Sequence, residues 1–327
     1  MNYLQAILFA CLAFIPNTAV GQKKSLNRLT VVELNCENLF DCRHDSAKND
    51  YAFLPNGEMH WTRTRMWRKL NYIGHSIIGG TESLPDLIAL CEVENDSVMH
   101  FMTRRSYLAP AKYEYFITSS PDERGLDVAL IYDKFHFKPL CYDFINIPLL
   151  RHMRPTRDIL YVKGLHITGD TLHVFVLHSP SRRGGEYITR NYRMHVANIL
   201  TDATDRILHN NPDAYIIVAG DFNDPADSPA LRHLAQHQLF DVTSAARGIE
   251  NNTSGNYYFQ GQWQFLDHIL VSNPLLYKID SRAVIDFKEM LEPAGRPGEY
   301  KPKRTYKGTF YQRGYSDHLP LIVHFDL

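Results

Sequence analysis

The 327-residue chain predicts a mixed α/β fold: one mixed sheet, or a pair of sheets, with helices outside. Three observations carry this reading. Short apolar runs rich in β-branched and aromatic residues recur with turn residues between them. Some neighbouring runs are spaced as hairpins, while others are separated by long helical stretches. One such stretch, about Glu186 to His209, places Ile188, Tyr192, Val196, Ile199, Leu200, Ala203 and Ile207 on a single stripe, as in a helix covering a sheet face.

Along the chain, strands are expected at Leu29–Leu34, Leu87–Leu90, Tyr113–Ile117, Val128–Tyr132, Ile159–Leu165, Leu172–Leu177, Tyr215–Ala219, His268–Val271 and Leu321–Phe325. A second helix is expected over Thr62 to Ile78, with Trp67, Leu70, Ile73 and Ile77 inward. A third begins at Ser228-Pro229, where a capping serine precedes a proline suited to the first helical position. Proline, glycine and lysine crowd Glu292 to Lys307, which reads as a mobile surface loop bordering the last motif. No repeat, low-complexity run or linker divides the chain.

Asn2 to Val20 lack any charged side chain and lead through Ala19 and Gly21 to Lys23 and Lys24. That pattern reads as a signal peptide cleaved near Gly21, too short for a membrane span. Residues 1–21 are thus a leader and residues 22–327 a single domain, secreted or periplasmic, without a stable membrane anchor and expected to be a monomer. Of the five cysteines, Cys36, Cys42, Cys91 and Cys141 lie beyond the leader; their spacing specifies no disulfide and no zinc pattern. The net charge of −1 gives no bulk attraction for nucleic acid, so a polyanionic substrate must be held by local positive patches.

The most informative stretch is Ile216-Ile217-Val218-Ala219-Gly220-Asp221-Phe222-Asn223-Asp224-Pro225. An apolar strand delivers a carboxylate and a carboxamide, two residues apart and on the same side of extended backbone, into a loop. Such a pair can polarise a water while hydrogen-bonding the anion it attacks, as phosphate ester hydrolysis requires. Alone it is more often an Asx-turn, so convergence decides. Asn35, Glu92 and His178 each follow a predicted strand, whereas Asp267-His268 and Asp317-His318 each precede one. Where strands run antiparallel, the start of one lies at the same edge as the end of its neighbour, so all these groups can meet at one rim. Carboxylates gathered without equal fixed cations call for a hard divalent cation, Mg²⁺ or Mn²⁺, and the oxygen-rich, cysteine-free mixture excludes structural zinc.

The motifs Leu34-Asn35-Cys36-Glu37-Asn38-Leu39-Phe40, Pro85-Asp86-Leu87-Ile88-Ala89-Leu90-Cys91-Glu92-Val93-Glu94, Arg124-Gly125-Leu126-Asp127-Val128-Ala129-Leu130, Leu177-His178-Ser179-Pro180-Ser181-Arg182, Gly220-Asp221-Phe222-Asn223-Asp224, Leu266-Asp267-His268-Ile269-Leu270 and Tyr315-Ser316-Asp317-His318-Leu319-Pro320 occur in one order. On these the chain resembles the endonuclease/exonuclease/phosphatase superfamily of deoxyribonuclease I-like enzymes. The resemblance covers about Leu29 to the C-terminus. It implies a four-layered α/β/β/α sandwich of two packed mixed β-sheets flanked by helices.

It also implies roles. Glu92 is the principal metal ligand, with Asn35 and Asp317 nearby. Asp221 orients or deprotonates the attacking water, and Asn223 donates to the phosphorus centre. His318, paired with Asp267, contacts the phosphate. His178 lies on the other side as a donor or general acid, oriented by Asp127. Arg182, Arg183, Arg190 and Arg193 after His178, and Lys301, Lys303, Arg304 and Lys307 before Asp317, are candidates to hold flanking phosphates, with Arg182, Arg183 and Arg304 foremost. Trp61, Trp67, Tyr257, Tyr258, Phe259 and Trp263 are candidates to stack bases or grip a lipid edge, although Trp67 on its helical stripe is better explained as core. The expected enzyme is a secreted, metal-dependent phosphodiesterase acting on DNA or RNA. A phospholipid or small-molecule phosphohydrolase is the alternative, and a non-catalytic binding module a distant third.

Overall fold

Alternation with a period of two decides the centre of the molecule. In the computed structural model, which describes residues 26–327 apart from Glu82, Val174 and Val176 of one strand enter a core shared with a second sheet, while Phe175 and Leu177 enter a core shared with a long helix. Ile217 and Ala219 against Ile216 and Val218 repeat the division on the next strand. A sheet buried on both faces needs apolar residues at every position, which is why these runs read as continuous.

Along the chain, β1 (Arg28–Leu39), α1 (Arg63–Gly79), β2 (Leu87–Val93), α2 (Asp96–Arg105), β3 (Glu114–Ile117) and β4 (Asp127–Tyr132) come first. They are followed by β5 (Phe137–Ile145), β6 (Ile159–His166), β7 (Thr171–His178), α3 (Glu186–Asn210), β8 (Tyr215–Asp221), α4 (Pro229–Gln236) and β9 (Leu239–Asp241). The last part adds β10 (Tyr257–Phe259), β11 (Gln262–Gln264), β12 (Asp267–Ser272), α5 (Asn273–Leu276), β13 (Ile279–Val284), β14 (Leu291–Pro293), β15 (Tyr300–Pro302), β16 (Tyr306–Lys307), β17 (Phe310–Tyr311) and β18 (Leu321–Asp326).

Two six-stranded mixed sheets result, ordered β13-β18-β1-β2-β4-β3 and β5-β6-β7-β8-β12-β9. Met66, Leu70, Ile73 and Ile77 of α1 join the core of the first sheet, and Val196, Leu200 and Leu208 of α3 with Leu231 and Leu234 of α4 cover the second. The four layers are those the resemblance implies. The segment read as a leader lies outside the described residues. No helix among the described residues is long and apolar enough to cross a membrane.

The structure departs from the sequence expectations in four places. Three of the four sheet edges, β5, β9 and β13, carry no recognisable alternation. Helix α2 is short; Asn95 Oδ1 caps it by accepting from Val98 N at 3.0 Å, and Val98, Met99 and Met102 are buried. The stretch expected as a mobile loop is instead paired, as the hairpin β14/β15 and the start of β16/β17. Trp61 is fully buried and donates to Phe40 O at 2.8 Å, so it is not available for stacking, whereas Trp67 packs on Phe101 of α2 and against the core as its helical stripe predicts. Cys36, Cys42, Cys91 and Cys141 are all free thiols.

Two positions show how tightly neighbouring strands and the two sheets meet. Gly220 of β8 has φ +148°, and a Cβ there would lie 1.9 Å from the carbonyl oxygen of Leu177 on β7. Gly220→Ala is expected to cost about 2–3 kcal/mol or more, as overpacking against backbone does; an unchanged denaturation midpoint would contradict the close approach. Glu33 of β1 is fully buried, and burial first, then Asp267 and Asp221 of the second sheet, raise its carboxyl well above the ordinary range. A raised carboxyl contributes stability that is present at low pH and lost as pH climbs from the unfolded to the folded value. Glu33→Gln should therefore raise the melting temperature more at pH 8 than at pH 5, and the opposite ordering in paired melts would sink this account.

Candidate active site

Strand direction assembles the site. Asp267 and Asp221 are direct partners in the antiparallel β12/β8 pair, and His178 is level with Asp221 in the parallel β7/β8 pair. On the other sheet Asn35 is level with Cys91, one residue before Glu92, and β18, which starts after Asp317-His318, runs antiparallel to β1. Ser316 Oγ ties the approach to β18 by donating to Asn35 O at 2.7 Å. The expected clusters thus share one rim.

Asp221 stands at its centre. Its Oδ2 accepts from Asn35 Nδ2 at 3.0 Å across the gap between sheets and from Asn223 Nδ2 at 3.1 Å, while Oδ1 accepts from Asn223 N at 2.8 Å. His178 Nε2 lies 3.4 Å from the same Oδ2. Burial, and next Asp267, push the Asp221 carboxyl up to about 7, against the opposing pull of His318. That is the range for a general base near neutral pH.

His318 Nδ1 lies 2.5 Å from Asp267 Oδ2, which also accepts from Asn256 Nδ2. Burial alone would pull this imidazole down, but Asp267, assisted by Asp317 and Asp221, raises it to about 10. His318 is therefore a cation fixed by its carboxylate. Asp267 Oδ1 and both oxygens of Glu33 are buried without a hydrogen-bond donor unless one carboxyl keeps its proton. Glu33, held neutral by its surroundings, donates it to Asp267. Ligand atoms of Asp221, Asp267 and His318 fall within 4.8 Å of one another, yet the imidazolium occupies that position as an ion-pair partner.

On the other side of Asn35, Glu92 Oε2 accepts from Asn38 N at 2.8 Å, and Asp317 Oδ2 accepts from Arg304 Nη2 at 2.6 Å. Glu37 Oε2 accepts from Thr305 N at 2.6 Å and lies 3.7 Å from the buried Lys69 Nζ. Burial pulls the Lys69 ammonium below its ordinary value, opposed chiefly by Glu37 and more weakly by Asp317 and Glu92. Three acids facing Lys69 and Arg304 leave negative charge to spare, and their hard oxygens fit a divalent cation held by Glu92 and Asp317. Asn35 Oδ1 accepts from Glu37 N at 2.9 Å, and its amide serves Asp221.

Local backbone strain marks the same residues. Glu37, Asn38, Glu92 and Asn223 all have positive φ, between +49° and +60°. Asparagine tolerates this region, but for glutamate it is uncommon, and such strain clusters at functional sites.

Other expected residues are placed elsewhere. Asp127 reaches the rim, but its Oδ1 accepts from Thr118 Oγ1 at 2.6 Å, from Ser120 N at 2.9 Å and from Ser120 Oγ, so it does not orient His178. His178 Nδ1 is buried with no hydrogen-bond partner among the described residues. Burial, then Arg157 and Arg124, hold His178 well below the ordinary imidazole range, which makes it a neutral donor rather than a general acid. Arg193 is buried against Asp224, Nε to Oδ1 at 2.6 Å, and Arg190 lies over the Tyr187 ring at 4.7 Å, so Arg193 cannot meet substrate. Arg182 braces the catalytic loop, its Nε donating to Asn223 O at 2.9 Å, and Arg183 is exposed. Tyr257 packs its ring 4.7 Å from that of His318, Tyr258 lies against Trp263, and Phe259 is exposed.

Sequence reasoning missed Glu33, Asn256, Lys69, Arg124 and Arg157. Glu33 alone carried a signal: an acid within an apolar strand, two residues before Asn35 and so on the same face.

A family profile described as Endonuclease/Exonuclease/phosphatase family matches residues 30–326. No curated protein matches the chain in sequence. Among solved structures, an endonuclease/exonuclease/phosphatase family protein from Bacteroides thetaiotaomicron is 17% identical with a TM-score of 0.62, over 92% of this chain and 96% of that one. The human Nocturnin catalytic domain with bound sulfate anion is 16% identical with a TM-score of 0.56, over 91% and 94%. D. rerio TDP2 complexed with a single-strand DNA product is 16% identical with a TM-score of 0.54, over 92% and 99%. With two six-stranded sheets, carboxylates meeting at their shared rim and a profile match from residue 30 to residue 326, the chain belongs to the endonuclease/exonuclease/phosphatase family.

Proposed function

We propose that the protein is an exported, Mg²⁺- or Mn²⁺-dependent phosphodiesterase whose substrate is nucleic acid. The observation that carries this reading is Asp221, held by two amides and flanked by a neutral and a cationic imidazole, beside the carboxylates Glu92 and Asp317. That a structure of the same fold holds a single-strand DNA product supports nucleic acid as the substrate class. The leader-like N-terminus supports export.

In this reading Asp221 takes a proton from water as the water oxygen attacks phosphorus and the ester bond opposite breaks. Glu92 and Asp317 would hold a divalent cation, which would supply charge stabilisation to the reacting phosphate. His318, as an imidazolium, donates to a non-bridging oxygen, and Asp267 with Glu33 beneath it fixes the ring. His178 donates from the other side as a neutral imidazole. Asn223 already spends its amide on Asp221 and on Ser179 O at 3.1 Å, so it positions the base first and meets the phosphate only by exchanging one of these bonds.

Two measurements test the reading. Asn223→Ala and His318→Ala should each lose about 10²–10³ in kcat while remaining folded, because each removes a preorganised donor. The assay is metal-dependent hydrolysis of bis(4-nitrophenyl) phosphate, plasmid DNA, RNA, sphingomyelin and phosphoinositides, with and without EDTA. Folded variants with undiminished turnover would refute the assignment, and turnover of sphingomyelin alone would move it to lipid. The pH dependence has a definite sign: Asp221 works ionised, so kcat/KM should rise with pH, with a midpoint at or below about 7 since a neighbouring cation favours the carboxylate. A profile that falls between pH 5 and 8 would exclude Asp221 as base.

A further inference from the structure

The segment from residue 294 to residue 313 is strongly cationic in a chain of net charge −1. It holds Arg296, Lys301, Lys303, Arg304, Lys307 and Arg313 against the single acid Glu299, a local balance of +5. Arg296 pairs with Glu299 at 3.4 Å, Lys301 with Glu292 at 3.2 Å and Arg304 with Asp317 at 2.6 Å. Lys303, Lys307 and Arg313 have no ion pair among the described residues. Between the last two, at the turn of β16/β17, Phe310 is 76% exposed.

This hairpin is firmly seated. Tyr306 donates through its hydroxyl to Met59 O at 2.8 Å, and Lys69 Nζ donates to Tyr315 O at 2.6 Å. A Cβ on Gly314 would lie 1.9 Å and 2.1 Å from the carbonyl oxygens of Lys303 and Arg304, so the two ends of the hairpin touch through backbone. An exposed phenyl ring and unpaired cations are thus presented on a fixed base that begins at Arg304, beside Asp317.

A second observation comes from α1. Arg63, Arg65 and Arg68 lie in its first two turns, and its first turn contains no acid. The positive end of a helix disfavours cations there by roughly 0.3–1 kcal/mol each, so the helix dipole does not account for Arg63 and Arg68. Arg65 joins this helix end to the hairpin: its guanidinium lies 4.4 Å over the Tyr311 ring and its Nη1 lies 3.4 Å from Tyr306 Oη. The two cationic segments form one surface.

We propose that the β16/β17 hairpin and the first turns of α1 dock the single-stranded phosphodiester chain that flanks the bond being cut. Lys303, Lys307 and Arg313 take successive backbone phosphates and Phe310 stacks on a base. This rests on the nucleic-acid reading of the site. A chain of phosphates suits cations spread over two elements, and one protruding ring suits a base better than a bilayer, which needs a contiguous apolar face.

The test is fluorescence anisotropy of a short labelled single-stranded DNA or RNA with the full chain in EDTA, over a range of NaCl concentrations. Wild type is compared with the triple variant Lys303→Gln/Lys307→Gln/Arg313→Gln and with Phe310→Ala, each shown to be folded by its thermal melt. Removing three phosphate contacts should flatten the slope of log affinity against log salt by about 2, at roughly 0.7 per contact for single strands. Phe310→Ala should weaken binding about tenfold at every salt concentration with the slope unchanged. Equal slopes and affinities in all three proteins would overturn the proposal. So would a wild type that ignores the oligonucleotide but binds phosphatidylglycerol vesicles through the same residues. A wild type that turns over bis(4-nitrophenyl) phosphate yet shows no hairpin-dependent affinity fails this inference alone, whereas a wild type inert toward that ester fails the phosphodiesterase reading beneath it.

Discussion

Acidic side chains crowd the gap where the two sheets meet, and their mutual repulsion in a dry interior shapes the rest of the site. Glu33 from one sheet faces Asp221 and Asp267 from the other, and the antiparallel register that pairs Asp221 with Asp267 leaves neither free to move away. Buried carboxylates this close cannot all ionise unless donors surround them. Asn35, Asn223 and Asn256 supply amide protons, His318 supplies a full positive charge, and Glu33 keeps its own proton. Asp221 emerges with a carboxyl near neutrality, strong enough as a base to take a proton from water and weak enough to be ionised at physiological pH. Catalytic potential here is a consequence of how charge is made tolerable between two sheets.

Much of this was legible in the chain, for reasons that differ by element. β7 and β8 were readable because they are buried on both faces, and α3 because its stripe is long. β5 was not, since most of its residues are exposed and it carries Pro139 with a register shift beside it, so no periodicity survives. The rim residues were legible because strand order and direction place strand ends and strand starts together, a rule that needs no side-chain detail. Electrostatic roles were not. That Asp127 would be consumed by Thr118 and Ser120 depends on how the short connection between β3 and β4 folds back on it, and that Arg193 would be buried against Asp224 and His178 held neutral depends on partners distant in sequence. Lys69 illustrates the limit: within α1 it reads as a surface lysine, yet it is buried with its ammonium against Glu37, Thr305 and the Tyr315 carbonyl.

That same lysine bears on how chemistry and recognition are joined. Glu37, in a strained conformation, accepts from Thr305 N at 2.6 Å and lies next to Asn38, whose backbone holds Glu92. Lys69 then binds Glu37 and Thr305 from below. The base of the cationic hairpin and the carboxylates proposed to hold the cation therefore hang on one buried ion pair. Truncating either partner of such a pair leaves an unpaired buried charge, a large penalty in a medium that solvates it poorly. The family fold supplies strand ends that fix the carboxylates, whereas the segments between strands are free to differ. Anchoring a hairpin to Glu37 lets a substrate-facing surface be added without moving Asp221 or Asn223, because the connection enters on the Glu92 side of Asn35 and the base is held on the other.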